Sequence, residues 1–571
     1  MNRLSKVLCS AAMLLSLAAC SSSTTTETTT PSTTAATEGE VAVYDVTASG
    51  YGGEMNVKVS IQGDTITDIE LGENHETNVV IDRAFPVIRE RILEANSPVV
   101  DSVSAATYSS YAVKQAVADA MEQHGLTVEG EVVREFPSFE GVEPTVIDDI
   151  TTDIVIVGGG PAGLGAAISA KQANADLDVT VVEKMDILSG NGKFDMNYFD
   201  LINSQAQEET GNTYTIDDFK EMKAKSGETP ERIEAWANEE WTMDQWLRDM
   251  GVELNYNYSA TNHMAEEDQY SGEVIQAGME AEAQRLGVTI ITGTKGEDFV
   301  MDGDAVVGVQ VLDTHTNERY NIMAGQTIIA TGGFCANKEL VAEYLPGYEV
   351  LNTSNQMGAT GDFVKVFEAH GMALQNMDRP SVFANIIVPR RDLTGGADLN
   401  LLVNKEGELL DNSASGLDRY NQMAEQTDGA TFYITDSTGY DSFYRIRKHV
   451  GLGYYSEGAT LEELGEALGI DGAALAENVA AYNEEQAALG EEGTRQIDAE
   501  GPYYGVRVEP ALHMTKGGVS ANENAQVLYE DGSVVPNLYA AGEVAWQSGG
   551  YSASVCFGRI AGTQAAAALS E

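Results

Sequence analysis

The sequence predicts an α/β protein of several domains, in which a small α+β unit precedes a Rossmann-like dinucleotide-binding body. Three stretches carry that prediction. Residues 153–184 read DIVIVGGGPAGLGAAISAKQANADLDVTVVEK, a buried strand, a glycine turn, an alanine-rich helix and a second strand ending on an acid. Residues 537–571 read NLYAAGEVAWQSGGYSASVCFGRIAGTQAAAALSE, again strand, glycine turn and helix, so the chain returns to the same kind of unit at its far end. From residue 41 to about 69, apolar and polar side chains alternate with period two around turns at Gly52-Gly53 and Gly63-Asp64. That is the pattern of a small antiparallel sheet.

Ahead of these units lies a leader. The first twenty residues, MNRLSKVLCSAAMLLSLAAC, have a basic start at Arg3 and Lys6. Their apolar run, residues 7–19, is shorter than the ~20 residues a spanning helix needs. Leu17-Ala18-Ala19-Cys20 resembles the bacterial lipoprotein box. The resemblance implies that residues 1–20 are a signal peptide and that Cys20 is lipidated, anchoring the protein to the bacterial cell membrane on its extracytoplasmic side. Residues 21–40, SSSTTTETTTPSTTAATEGE, read as a flexible Ser/Thr-rich tether. A formal net charge of −56 excludes a nucleic-acid partner, because phosphate would be repelled. Beyond Cys9 and Cys20 only Cys335 and Cys556 remain, far apart and outside any CxxC, so no metal site is expected.

The elements follow in order. In residues 41–130 the sheet pattern gives way to helical periodicity at AFPVIRERILEAN and SSYAVKQAVADAMEQHG. Between these helices stands DSVSAATYSS, residues 101–110, where Ser104 or Thr107 could serve as a helix N-cap. Residues 131–150 form a linker. In the second body Gly158, Gly160 and Gly163 lie between strand and helix, and Glu183 falls twenty residues past Gly163. Such glycines let a pyrophosphate approach the positive end of a helix, while the acid accepts from adenosine ribose hydroxyls. Two later stretches choose FAD over diffusible NAD. TIIATGGF, residues 327–334, ends a strand on Thr331, Gly332 and Gly333. The C-terminal turn offers Gly542, Glu543 as a carboxylate for the ribityl chain, and Ser552 and Ser554 at the start of the last helix. A chain that comes back to its first sheet in this way wraps an extended, permanently held cofactor.

With these pieces in view, residues from about 150 to 571 resemble the flavoprotein family of soluble fumarate reductases and urocanate reductases. The likeness runs through DIVIVGGGPAGLGAA, VVEKMDILSGN, IIATGGF, TSNQMGATGD, LLVNKEGE and PYYGVRVEPALHMTKGGV. It implies non-covalent FAD, with Lys184 and Asn191 added to the residues that hold it, and a Rossmann-like domain interrupted by an α+β capping domain. The expected divisions are 151–265, 266–325 and 326–380 for the FAD domain, 381–505 for the cap, and 506–571 for the C-terminal part of the FAD domain. Residues 41–130 are similar to a small FMN-binding domain of extracytoplasmic electron carriers, in which FMN is esterified to a threonine of a D-x-x-(S/T)-G-A-T motif. Asp101, Ser104, Ala106 and Thr107 fill that motif, which makes Thr107 the implied site of covalent FMN and a flavin transferase the implied partner in maturation. Ala105 stands where the motif has glycine.

The implied reaction is reduction of a C=C bond next to a carbonyl, which needs groups that polarise the carbonyl and an acid that protonates the neighbouring carbon. The resemblance implies His513 in ALHMTKGGV as a donor to the substrate. It points to Arg419, reached across a two-residue insertion, as the proton donor, with Asp418 or Asp392 to reprotonate it. Tyr551 lies near the position of the family's carboxylate-clamping arginine, in AWQSGGYSAS, which has no arginine. Arg390, Arg391 and Lys516 are further substrate candidates. Without a bidentate clamp, a larger mono-acid or enone is expected rather than fumarate, with Tyr551 and Trp546 as aromatic walls. The predicted protein is thus a lipid-anchored reductase of anaerobic respiration, taking electrons from a membrane-associated flavin donor through FMN to FAD and on to a small-molecule acceptor. The alternatives are a ketosteroid-like FAD dehydrogenase or oxidase, and a non-catalytic flavin electron carrier.

Overall fold

A computed structural model describes residues 40–76, 78–134, 139, 141–188, 190–192, 196–266, 270–388, 390–490, 494–545 and 550–570. The leader, with Cys20, lies outside the described residues. Among those residues the strands pair into three-, nine- and six-stranded sheets, with a two-stranded and a second three-stranded sheet besides. The α/β architecture expected from the sequence is the one adopted.

The N-terminal unit is an antiparallel meander of β1 (Val41–Ser49), β2 (Glu54–Gln62) and β3 (Thr65–Asn74). Two helices, α1 (Asn78–Ala95) and α2 (Thr107–His124), cover one face. The alternation explains the arrangement: Met55, Val57, Val59 and Ile61 of β2 all point inward against Ile88, Ile92, Val113 and Val117. Each such side chain contributes roughly 1.5–3 kcal/mol by burial.

The second body is built on the parallel core of Val179–Val182, Ile150–Val157, Glu318–Ile329 and Val534–Ala540. Its edge is completed by the antiparallel strands Ala305–Asp313 and Thr294–Asp302. Helix α3 (Pro161–Ala173) and the final helix, Tyr551–Ala568, cross the same face in close contact. A Cβ at Gly558 would lie 2.2 Å from the Ala162 carbonyl oxygen, and one at Gly562 would lie 2.0 Å from that of Ala166. The small residues of both segments therefore serve a single purpose, the approach of two backbones. This contact holds the last helix of the chain beside the first glycine turn.

The cap is the six-stranded sheet, in which Tyr503–Thr515 pairs with Thr431–Asp436, Pro380–Ile387, Ser456–Gly458 and Asn352–Thr353. Tyr503–Thr515 is thirteen residues long and leads from the cap back to the FAD body, carrying His513 near its end. The cap sheet thus draws strands from residues 352–353 and 503–515 as well as from the interior of 381–505. No helix among the described residues is long and apolar enough to cross a membrane.

Candidate functional site

The glycine turn has the geometry a pyrophosphate requires. Gly158 sits at φ +112°, where a Cβ would come within 2.3 Å of the Ala330 carbonyl oxygen, and a Cβ on Gly163 would lie 1.9 Å from that of Gly158. Gly160 caps α3 and Pro161 opens it, so the positive end of that helix faces the turn. Glu183 Oε2 accepts from the Gly159 N–H at 2.8 Å and its Oε1 from Met185 N–H at 2.9 Å. Gly158, Gly160, Pro161, Glu183 and Met185 line one end of a cleft that runs past Lys184, Asn191, Thr331, Gly332, Gly542, Glu543, Tyr551 and Ser554 to His513.

The cleft fits FAD on two observations. Thr331 Oγ1 is buried without a partner among the described residues, a hydroxyl waiting for a polar ligand. Burial raises the Glu543 carboxyl to about 7, against hydrogen bonds from the Thr515 N–H (2.9 Å), the Thr515 hydroxyl (3.2 Å) and Asn191. An acid short of donors is matched by ribityl hydroxyls. Gly333 must lack a side chain, since a Cβ would fall 2.3 Å from Glu543 Oε1. Lys184 is bound in the wall, its Nζ on Asp362 at 2.7 Å and on the Thr360 hydroxyl. Asn191 bridges to Asn355 Oδ1 (2.7 Å) and Gln356 N–H (2.9 Å). Gly163, Gly333 and Ser552 do not line the cleft; Ser552 is turned about 100° from Tyr551 in the first helical turn and is buried with its hydroxyl without a partner among the described residues.

At the far end His513 Nδ1 meets Ser354 Oγ at 2.7 Å, and Phe383 packs edge-on at 4.5 Å. Burial, with the charge of Arg445 added, drives His513 down to about 4, so its imidazole is neutral near pH 7. Arg445 comes from the cap helix Tyr444–Gly451. Its NH1 and NH2 donate to Thr394 O and Tyr444 Oη at 3.4 Å, while Nε is buried without a partner among the described residues. On the same helix Lys448 Nζ lies 3.6 Å above the Tyr270 ring and donates to Asn197 Oδ1. His449 Nε2 is 3.2 Å from the buried Asp392 carboxylate, to which the Tyr270 hydroxyl also donates. Burial would raise Asp392, but His449, Lys448 and Tyr270 together hold it below the usual carboxylate range.

Several expected substrate residues lie elsewhere. Arg419 is almost wholly buried inside the cap, donating to Asn412 O (3.1 Å), Asn412 Oδ1 (3.1 Å) and Tyr433 Oη (3.1 Å). It braces the loop that leads into its own helix and does not line the cleft. Lys516 is exposed in the turn after Tyr503–Thr515. Tyr551 does line the cleft, but its ring is wedged against Phe199 at 5.1 Å, and its buried hydroxyl has no partner among the described residues through which to exchange a proton. Burial raises it further. Arg390 lies 4.3 Å over the Tyr454 ring. Arg391, at φ +63°, donates to Asn355 O at 3.0 Å and reaches Tyr51 of the N-terminal unit. Trp546 falls outside the described residues. Arg445 was missed although its signal was present: Arg445, Lys448 and His449 in YRIRKHV recur at i, i+3 and i+4, one face of a helix.

In the N-terminal unit Thr107 is the first residue of α2, half-buried, and Tyr108 beside it carries Arg134 4.5 Å above its ring. The N-cap position of α2 is Ala106, whose methyl offers no acceptor, so neither Ser104 nor Thr107 caps the helix; the Ser104 hydroxyl instead accepts from the Asp186 N–H at 2.6 Å. Ala105 takes φ +73°, so the backbone keeps the left-handed turn that favours glycine even though the side chain differs.

Residues 153–554 match the family described as "FAD binding domain", and residues 50–122 match "FMN-binding domain". The chain is 28% identical to the NADH:fumarate oxidoreductase of Klebsiella pneumoniae (strain 342) over 548 residues, which is 90% of this chain and 57% of that protein. It thus spans a little over half of that relative's length. It is 29% identical to the urocanate reductase of Eggerthella lenta over 585 residues, 93% of each chain. The solved open conformation of a flavocytochrome c3 fumarate reductase superposes with a TM-score of 0.67 at 25% identity, covering 78% of this chain and 83% of that one.

Proposed function

The chain belongs to the FAD-binding family that its residues 153–554 match, and from that premise we propose that it reduces a C=C bond conjugated to a single acid or ketone. The observation that carries this reading is a neutral His513 at one end of the FAD cleft, within the field of the cationic Arg445 of the cap. FAD, when bound, supplies the hydride. His513, held through Nδ1 by Ser354, keeps its other ring nitrogen for the activating carbonyl oxygen. Arg445 holds and polarises the same group from the cap, and with its Nε, which has no partner among the described residues, takes the proton-donating role expected of Arg419. The C-terminal turn AWQSGGY has no arginine, so a second carboxylate has no bidentate partner there, and fumarate is a poor substrate.

Electrons reach FAD through FMN esterified to Thr107, after a flavin transferase has acted. Thr107 stands at the N-terminal end of α2, where a phosphate is favoured by the helix dipole and free N–H groups. The protein is held outside the cytoplasm by a lipid on Cys20 and takes its electrons from a membrane-associated flavin donor. The deciding experiment follows reoxidation of dithionite-reduced protein by a panel of enoates, enones and fumarate. Rapid oxidation by a mono-acid or enone, and slow oxidation by fumarate, is the expected result. Oxidation by none would return the protein to the electron carriers. Intact mass should show one FMN that Thr107→Ala removes, and Cys20→Ser should release the protein from the membrane fraction.

A further inference from the structure

The loop that ends at Thr107 does not face water freely; it is laced to the FAD body. Asp186 N–H donates to Ser104 Oγ and Asp186 Oδ2 accepts from Ser104 N–H, both at 2.6 Å. Asp186 Oδ1 takes Arg91 NH2 of α1 at 2.8 Å and His315 Nε2 at 2.5 Å. His315 Nδ1 reaches on to Asp101 Oδ2 at 3.2 Å. The Asp186 side chain is 3% exposed, and it stands three residues beyond Glu183, so one short loop serves both the adenosine end of the cleft and the flavin-attachment motif. A second contact lies toward the catalytic end. Tyr51 bonds Arg391, Arg391 NH1 donates to Asn355 O at 3.0 Å, and Asn355 Nδ2 donates to His513 O at 2.6 Å. Tyr51 and Tyr108, the residue after Thr107, have ring centroids 6.2 Å apart, so the two contacts bracket the attachment site.

We propose that these contacts form a fixed electron-transfer seam: Asp186 pins the attachment loop at one end, Arg391 receives Tyr51 at the other, and Thr107 is held between them, with the Arg83–Glu280 ion pair at 3.3 Å a further tie between the two bodies. The proposal rests on the reading that Thr107 carries FMN. It makes Arg391 a docking residue and not a substrate ligand. The charge pattern supports it. In a chain of net charge −56 two acidic bodies repel, and the seam is where cations, Arg91, His315 and Arg391, offset that repulsion. With both flavins bound, this seam would let two electrons pass from reduced FMN to oxidised FAD, each flavin exchanging its protons with water. A fixed seam makes that step independent of protein concentration and of linker motion.

The test uses the full, flavinylated chain and the variants Asp186→Ala and Asp186→Asn. Hydrogen exchange should find the Ser104 amide protected in the wild type and exposed in D186A. Stopped-flow reduction should find the FMN-to-FAD step first-order in the wild type and at least tenfold slower in D186A. Reoxidation of already reduced FAD by substrate should be unchanged in both variants. D186N keeps the acceptor for Ser104 but loses the charge, so it should fall between the two, and it serves if D186A does not fold. Arg391→Ala should slow the interflavin step and spare FAD reoxidation. Wild-type exchange and interflavin rate in D186A would overturn the seam, as would a slowed FAD reoxidation in R391A. If Thr107 proves to carry no flavin, the exchange measurement still decides the docking: protection lost in D186A sustains it, and an unprotected wild type refutes it.

Discussion

Replacing Glu543 by glutamine tests the heart of the FAD site, because one buried carboxyl there is held in tension between burial and its donors. Burial lifts it from an ordinary 4.5 to about 7. Below pH 4.5 the group is protonated both folded and unfolded and contributes no pH dependence. Between 4.5 and about 7 the folded chain keeps a proton that the unfolded chain releases, so stability of the FAD-free protein falls as pH rises, and above about 7 the whole amount is lost. At about 1.4 kcal/mol for each tenfold, that amount is at most about 3.5 kcal/mol, less whatever cleft water returns to the charge. Ribityl hydroxyls favour the ionised form, so FAD binding releases the proton, and affinity should rise with pH up to tenfold per pH unit before levelling above about 7. Glu543→Gln removes the titration. Its carbonyl can still accept from the Thr515 N–H now 2.9 Å away, and the FAD-free variant should gain stability at pH 8 but not at pH 4.5. FAD should bind it roughly ten- to a hundredfold more weakly at pH 8, the worth of a charge-assisted hydrogen bond of about 1.5–3 kcal/mol. Guanidinium unfolding and FAD titration by fluorescence from pH 5.5 to 8.5 read both effects. A wild-type affinity that is flat between pH 6 and 8, with the variant binding as tightly, would refute the reasoning.

Three further predictions follow from other positions. Ala105→Gly relieves a left-handed strain of about 1–2 kcal/mol and gives back about 0.4–1 kcal/mol in unfolded-chain entropy; it should leave chemical stability level or slightly higher, whereas Ala105→Val should lose more than about 1 kcal/mol. Flavin incorporation at Thr107, followed by intact mass, should be no slower in the glycine variant. The seam should depend on pH through His315, which is faced by Asp186, Asp101 and Arg91 and has Asp313 beneath its N–H. The Asp186 hydrogen bond raises His315, so Ser104 protection should be full below about 6.5 and fade as pH rises through the elevated value. Asp186 itself is held low: burial opposes its charge, but His315, Arg91 and the Ser104 N–H outweigh it. Protection should therefore persist down past pH 4, and His315→Gln should flatten the alkaline limb. Finally, Arg445→Ala should slow FAD reoxidation by substrate about a hundredfold, the cost of a few kcal/mol of charged hydrogen bonding, with little change in stability. Arg419→Ala should do the reverse, lowering the unfolding midpoint because it strips the buried Tyr433 and Asn412 groups of their partner.

The parts of the site that were legible in advance are those spelled by neighbouring residues. A pyrophosphate turn must be a contiguous run of strand, glycines and helix, and Gly158, Gly160, Gly163 and Glu183 read as such because their roles depend on backbone geometry over thirty residues. Thr331 and Glu543 followed for the same reason, each sitting at the end of a strand with its own glycine. The resemblance of DSVSAAT to a flavin-attachment motif was read equally directly, and the alanine at position 105 was visible as a departure. Only φ +73° showed that the backbone had kept its turn regardless. Arg419 went astray because spacing along the chain does not say which way a cap helix is rolled. Its side chain turns to Tyr433 and Asn412, and the cation near His513 came from a helix that begins 25 residues later.

Composition and local pattern by themselves determined that this chain folds as an α+β unit followed by a dinucleotide-binding body, and which turns have the glycine geometry a phosphate requires, because those features depend on steric and hydrogen-bonding demands met within a few residues. Tertiary structure alone decided which side chains meet. Ser104 and Asp186 are 82 residues apart, Tyr51 and Arg391 more than 300, and Arg445 and His513 lie on different elements. Contacts of that kind are selected by the packing of whole domains, where burial of a large common surface fixes the relative position of groups that have no local reason to approach.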